Sequence, residues 1–506
     1  MMYGHEKSDS AIVAVKPTNK AEHSAAEQST AELFAAEPAE PRAETKRNAG
    51  QQSTCGTQGQ ISVSQALERI RRVAKERKKE KFTSLLHHIS IDLLDEAFFE
   101  LKEEAAPGVD GLTWTEYEQN LDCNIEDLHA RVHRGAYRAL PSRRVYIPKP
   151  DGRQRPLAVA ALEDKIVQRA TAAVLNAIYE EDFLGFSYGF RPGRGTHDAL
   201  NALCVAIERK KVNWILDADI RSFFDEISQE WLIRFLEHRI GDRRIIRLIQ
   251  KWLKAGVLED GIVSASDRGT GQGSVISPLL ANIYLHYVYD LWAQQWRQQH
   301  AQGDVIVVRY ADDMVVGFQF EHDARRFLAD LGQRLERFGL QLHAQKTRTI
   351  EFGRYAAKNR KARGLKPETF DFLGFTHICG TNRKGGFIIR RHTARKRLQA
   401  KLHEIKDVIG RMRHLPIQDQ GAYLKRVMNG YFNYFAVPTN NRAINSFYRH
   451  VTWYWYRALR RRSQTSKLTW EKMKRLIGSW LPPARLRHPL PDVRFRVMTQ
   501  GKSPVR

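Results

Sequence analysis

The residues best suited to chemistry are carboxylates. The stretch Val305-Ile-Val-Val-Arg-Tyr310-Ala311-Asp312-Asp313-Met-Val-Val-Gly-Phe318 sets two adjacent acids between two apolar, β-branched runs, which reads as a hairpin with acids at its tip. A solvated turn is the plain alternative, because Asp is a common turn residue. Asp219 supplies a third acid, ending the apolar run that starts at Trp214 and preceding Phe223, Phe224 and Asp225. Carboxylates at the ends of two separated strands suit a pair of divalent cations about 4 Å apart, which in-line phosphoryl transfer with pyrophosphate loss requires. Two Mg2+ ions are expected, being hard and oxygen-seeking, with Mn2+ as substitute. His129 and His133 stand one helical turn apart, but Ala130 occupies the place of a zinc protease's Glu, so they read as an ordinary polar helix face.

Charge points to the partner of such a site. The 506 residues carry a net charge of +25, an excess that suits a polyanion such as nucleic acid. From Tyr355 to Arg506 there are 34 Lys and Arg against 7 Asp and Glu, so the whole excess lies in the last third of the chain. That distribution reads as a polyanion-binding module joined to a nearly neutral body, against the alternative of solvated basic helix faces. Within the module, Tyr454 and Trp455 are followed by Arg457, Arg460, Arg461 and Arg462, and aromatic and guanidinium planes stack on bases. The four cysteines lie far apart without a Cys-x-x-Cys pair, which opposes a disulfide scaffold or zinc knuckle. The sequence has no membrane-length apolar run and no secretory signal, so a cytoplasmic protein is expected.

The elements that must carry these residues are legible by periodicity. Residues 1–60 are rich in Ala, Glu, Ser and Thr and are expected to be disordered. Helices are expected over 62–81, 93–101, 163–181, 395–411, 421–435 and 442–462, and strands over 144–148, 214–220, 305–310 and 314–318.

Six stretches together resemble a known family, the group II intron-encoded reverse transcriptases with an attached maturase domain. Tyr310-Ala-Asp-Asp313 is similar to its catalytic turn, and Asp219-Ile-Arg-Ser-Phe-Phe-Asp225 to its first metal-binding segment. The others are Ile147 to Leu157, Ser187-Tyr-Gly-Phe-Arg191-Pro192, Gly269 to Asn282, and Phe372-Leu-Gly-Phe375, in the family's order, so the resemblance runs from about Phe82 to Arg506. Two departures are Gly271, where relatives usually carry Pro, and Ser274, where they usually carry Gly.

The resemblance implies an α+β fold: a right-hand polymerase of fingers and palm with a C-terminal α-helical thumb or maturase domain. Its segments would be 61–213, an N-terminal extension and fingers; 214–376, the palm; and 377–506, the basic helical thumb. It implies that Asp219 and Asp312 hold both metals, with Asp313 in support and the Ile220 carbonyl as a further ligand. Lys149 and Arg155 would pair with the incoming triphosphate, Phe224 would exclude a 2′-hydroxyl, and Gln272 would meet nucleotide or template. Lys346 would protonate the leaving pyrophosphate, and Arg191 would touch template or nucleotide, the alternative for Arg191 being a structural ion pair. Tyr454, Trp455, Arg457, Arg460, Arg461 and Arg462 would bind RNA. The expected partners are RNA template and intron RNA, DNA primer or target, and dNTPs, with no membrane. Other readings are a splicing cofactor with a vestigial polymerase site and a host-adopted enzyme of DNA repair or phage defence. An RNA-dependent RNA polymerase is opposed by the aromatic ring at 224. No Cys pairs or His-rich nuclease box follow the basic module, so the DNA-cutting domain of some relatives is expected to be absent.

Overall fold

A computed structural model of the chain describes residues 56–148 and 154–498. Four helices come first, α1 (Gly56–Glu76), α2 (Ile91–Phe99), α3 (Trp114–Glu118) and α4 (Leu121–His133), and lead into a hairpin of β1 (Ser142–Pro148) and β2 (Gln154–Val159). Next come α5 (Leu162–Asp182), α6 (Thr196–Arg209), β3 (Trp214–Asp219), the single turn α7 (Phe223–Glu226), α8 (Gln229–Arg239) and α9 (Arg243–Lys254). A short hairpin, β4 (Val257–Glu259) and β5 (Ile262–Ser264), precedes α10 (Ser277–Leu285), a π-helical turn (His286–Asp290) and α11 (Leu291–Gln299). Then follow β6 (Val305–Tyr310), β7 (Asp313–Phe318), α12 (Glu321–Glu336), β8 (Arg348–Glu351), α13 (Ala356–Ala362), β9 (Thr369–Phe372), β10 (Phe375–Thr381) and β11 (Phe387–Thr393). Helices complete the chain: α14 (Arg395–Arg411), α15 (Ile417–Phe435), α16 (Asn441–Arg460), α17 (Trp470–Trp480) and α18 (Pro491–Met498). No helix among the described residues is long and apolar enough to cross a membrane.

The central sheet runs β6-β7-β3-β8, antiparallel throughout. Its strands are apolar on both faces because both faces are covered. Leu216, Ala218, Val307, Met314 and Val316 point into a core shared with α5, α10 and α12, whereas Ile215, Ile306, Val308 and Val315 meet α6 and the small sheet β11-β10-β9. Alternation of side chains along a strand makes one run serve two cores. The boundary expected at 376 falls inside β10, so the small sheet is shared by the segments on either side of it. The disorder expected for residues 1–60 lies outside the described residues up to 55, and α1 starts at Gly56, before that boundary.

A third core belongs to the C-terminal helical lobe, where Leu424, Met428, Phe447, Val451 and Trp455 pack among α14 to α17. The lobe ends by returning to its starting neighbour. Arg494 of α18 pairs with the buried Asp198 of α6 at 2.9 Å, Asp492 pairs with Arg209 at 2.6 Å, and the His488 ring lies 4.0 Å from that of His197.

Candidate catalytic site and nucleic-acid interface

Sheet register gathers the acids. In the β3–β7 pair Asp219 stands opposite Asp313, and in the β6–β7 hairpin Tyr310 stands opposite Asp313, leaving Ala311 and Asp312 as a two-residue turn. Such a tight turn needs left-handed backbone, and Ala311 adopts φ 54°. Two residues before Asp219, on the same strand face, lies Asp217, a fourth acid that the sequence alone does not single out. Crowding by surrounding protein, then the like charges of Asp312, Asp219 and Asp217, push the Asp313 carboxyl up to about 7 although the residue keeps an exposed surface. Burial likewise raises Asp312, with Asp219 adding to the effect and Lys346 and Arg155 opposing it. Asp217 is pushed up to about 6, chiefly by burial, against the pull of Arg348 at 3.6 Å.

A strand-like segment after α12 supports this end of β3. The His343 N–H donates to the Asp219 carbonyl at 2.8 Å and the Arg221 N–H to the Gln341 carbonyl at 2.9 Å, around a bridge between Ile220 and Leu342. This pairing leaves the Ile220 carbonyl out of the bridge. The same segment then turns, and the Lys346 ammonium pairs with the Asp219 carboxylate. Among the described residues no three His, Cys, Asp or Glu side chains form a ready metal cluster as they stand. The donor set nevertheless fits hard divalent cations: Asp219, Asp312 and Asp313 offer only carboxylate oxygens, and their mutual repulsion is what a cation would relieve.

Arg155 is exposed near the start of β2, its charge felt at Asp312, and Lys149 lies outside the described residues. Phe223 is buried and Phe224 half-buried, and both lie in the turn α7, entered through Ser222 at φ 45°. The glycine-rich loop is clamped to that turn. Thr270 N–H donates to the Phe224 carbonyl at 2.9 Å, and a Cβ on Gly269, at φ 84°, would meet the same carbonyl at 3.1 Å. Gln272 is thereby held beside Phe224 on the wall of a cavity of about 220 Å³. Ser274, one of the two departures, is buried with its hydroxyl donating to Gln168 Oε1 at 2.7 Å.

One expected contact is overturned. Arg191 is buried, pairs with Glu180 at 2.9 Å, and donates to the Leu184 and Ser187 carbonyls, so it presents no group to a substrate. The arginine beneath the acids is instead Arg309, which sequence reading does not pick out. Its place directly before Tyr310-Ala-Asp-Asp, in an apolar run, is the available signal.

The C-terminal interface also needs correction. Trp455 is wholly buried, donating its indole N–H to Gln420 at 3.0 Å, so it offers no free stacking face, and Tyr454 packs half-buried against the same core. Arg462 spends donors on the His414 and Leu415 carbonyls, whereas Arg457, Arg460 and Arg461 are exposed. In α16 and α17 the exposed rings are Trp453, 48% exposed, and Trp470, 42% exposed. Tyr456 links them, with its ring 5.8 Å from Trp453 and 5.0 Å from Trp470, and Arg460 lies over it at 5.8 Å. Helical phase is the missed signal, because Arg449, Trp453, Arg457 and Arg460 recur at three and four on the face opposite Phe447, Val451 and Trp455.

Comparison with known proteins agrees with this geometry. A family described as reverse transcriptase (RNA-dependent DNA polymerase) matches residues 147–377. The chain is 36% identical over 240 residues to Protein YkfC of Escherichia coli, covering 42% of this chain and 62% of that protein. It is 44% identical over 146 residues to an uncharacterized 91 kDa protein in a cob intron of Schizosaccharomyces pombe, covering 29% and 18%. It is 35% identical over 222 residues to the group II intron-encoded protein LtrA of Lactococcus lactis, covering 44% and 37%. In each case the match spans less than two thirds of the relative's length.

Proposed function

We propose that this chain, whose residues 147–377 match a reverse transcriptase family and which is similar to group II intron-encoded proteins, is an RNA-directed DNA polymerase that also binds its intron RNA as a maturase for splicing and mobility. The observation that carries the reading is the register that sets Asp219 opposite Asp313 at the tip of the β6–β7 hairpin. In this reading residues 61–213 are the N-terminal extension and fingers, 214–376 the palm and 377–506 the thumb.

The reaction joins a primer 3′-hydroxyl oxygen to the α-phosphorus of a dNTP and breaks the bond to the β-phosphate, releasing pyrophosphate. Asp219 and Asp312 hold two divalent cations, Mg2+ or Mn2+, with Asp313 in support and the Ile220 carbonyl as a further ligand. When bound, those cations activate the attacking hydroxyl and stabilise charge on the leaving group. Lys149 and Arg155 draw in the triphosphate. Phe224 closes the space a 2′-hydroxyl would need, and Gln272 orients nucleotide or template beside it. Lys346 passes a proton from Nζ to the departing pyrophosphate, once it exchanges its pairing with Asp219. Arg457, Arg460, Arg461, Trp453 and Trp470 bind RNA through phosphates and bases.

Primer extension on an RNA template with purified protein, Mg2+ and dNTPs tests the polymerase half. Extension by the wild type and its loss in Asp312→Asn is the expected pair of results, and equal extension by both would overturn it. Salt-dependent binding of a structured group II intron RNA tests the maturase half.

A further inference from the structure

Arg309 is 0% exposed, and each of its five guanidinium N–H groups meets an acceptor. Nε donates to Asp290 Oδ1 at 2.7 Å, and Nη2 to Asp290 Oδ2 at 2.6 Å and Ser187 Oγ at 2.7 Å. Nη1 donates to Asn282 Oδ1 and to the Ala311 carbonyl, both at 3.0 Å. The last of these is the peptide oxygen immediately before Asp312. Asn282 in turn donates to the Gly189 carbonyl at 2.7 Å, and Gly189 lies so near the turn that a Cβ there would sit 2.3 Å from the Ala311 nitrogen. The turn is therefore held at its nitrogen by packing and at its oxygen by a hydrogen bond.

The helix that supplies two of these acceptors is adapted to the task. Asn282 and Asp290 are eight residues apart, which in a regular α-helix leaves them about 80° apart around the axis. The π-helical turn His286–Asp290 lies between them, and its wider winding takes up rotation, so both side chains reach one guanidinium. Such turns are inserted in helices frequently at functional sites. A buried ion pair contributes little net stability compared with apolar packing of equal volume, so orientation is the better account of this one.

We infer that Arg309 is a positioning residue, which through the Ala311 carbonyl fixes the left-handed turn and so the placement of Asp312 toward the divalent cations. The inference rests on the polymerase reading and deepens it. Lysine cannot substitute, because a point charge lacks the planar fork that spans Asp290, Asn282 and Ala311.

The test compares wild type with Arg309→Lys and with the milder Ser187→Ala, which removes one acceptor. Primer extension by the wild type decides the polymerase reading by itself. Given that activity, Arg309→Lys is expected to lower kcat roughly 10- to 100-fold and to raise the Mg2+ concentration for half-maximal rate, as loss of a group supporting metal ligands does. Mn2+ binding without nucleic acid, read by electron paramagnetic resonance, weakens in parallel, while KM for template–primer is unchanged. Ser187→Ala shifts the same quantities in the same direction by less, and it keeps the test intact if Arg309→Lys fails to fold. Unaltered Mn2+ binding and Mg2+ dependence in a folded Arg309→Lys, or in Ser187→Ala where the lysine variant does not fold, would overturn the inference, whatever happens to melting temperature.

Discussion

The acidic site and the basic C-terminal lobe present their candidate functional residues in opposite ways. At the site, a hairpin turn sets Asp312 and Asp313 side by side, and strand register brings Asp219 from a separate segment to the same sheet end. In α16, neighbours in sequence point apart, so Trp453 faces outward and Trp455 fills the core two positions later. A strand-and-turn motif thus carries its geometry in the linear text, while a helical aromatic run carries it only in phase.

The sharpest way to break that comparison is at the acids. Asp312→Asn should lower nucleotide addition by several orders of magnitude with RNA binding retained, read by primer extension beside filter binding. On the helix, Trp455→Ala should cost about 3 to 5 kcal/mol of stability, seen in denaturant unfolding, because it empties a packed core. Trp453→Ala should leave stability alone and weaken single-stranded RNA binding by about 1 to 3 kcal/mol with an unchanged salt slope. By contrast, replacing Arg457, Arg460 and Arg461 with Gln should flatten the slope of log affinity against log salt by about 0.7 per lost contact. If Trp453 and Trp455 behaved alike, the distinction between the two helix faces would fail.

The smallest effect separates neither region, since it comes from two buried neutral histidines, one beside the site and one in the small sheet. Burial lowers His286, beside Asp290, to about 4, and His377, stacked on Phe370, to about 3. Between those values and the ordinary 6.5 the unfolded chain binds the extra protons, so stability is present above about 6.5 and falls as pH drops through the window. The slope is about 1.4 kcal/mol per pH unit for each histidine at most. Thermal melting from pH 7 to 4 should show the fall, reduced in His377→Gln.

Much of this was legible in the sequence. Strands β3, β6 and β7 and helices α5, α14 and α16 lie within a few residues of their expected bounds, because β-branched runs and three-four spacing are strong local signals. The three acids were legible because two stand at a turn between apolar strands and the third ends another apolar strand. The choice between Arg191 and Arg309 was not, since both are buried arginines and only the tertiary partners, Glu180 for one and Asp290 with Ala311 for the other, distinguish them. The π-helical turn that delivers Asp290 had no periodic signature strong enough to read.

The return of α18 to α6 also bears on motion. The C-terminal lobe is tied to the central body at its entrance, where β11 runs into α14, and again at its exit, through Arg494 with Asp198 and Asp492 with Arg209. Between those two ends Tyr434 donates to the Leu373 carbonyl at 3.0 Å and Val437 lies in the core beneath the small sheet. The lobe is thus seated along its length rather than hung from two points, and Asp198→Asn would loosen one fastening among several without touching the acids.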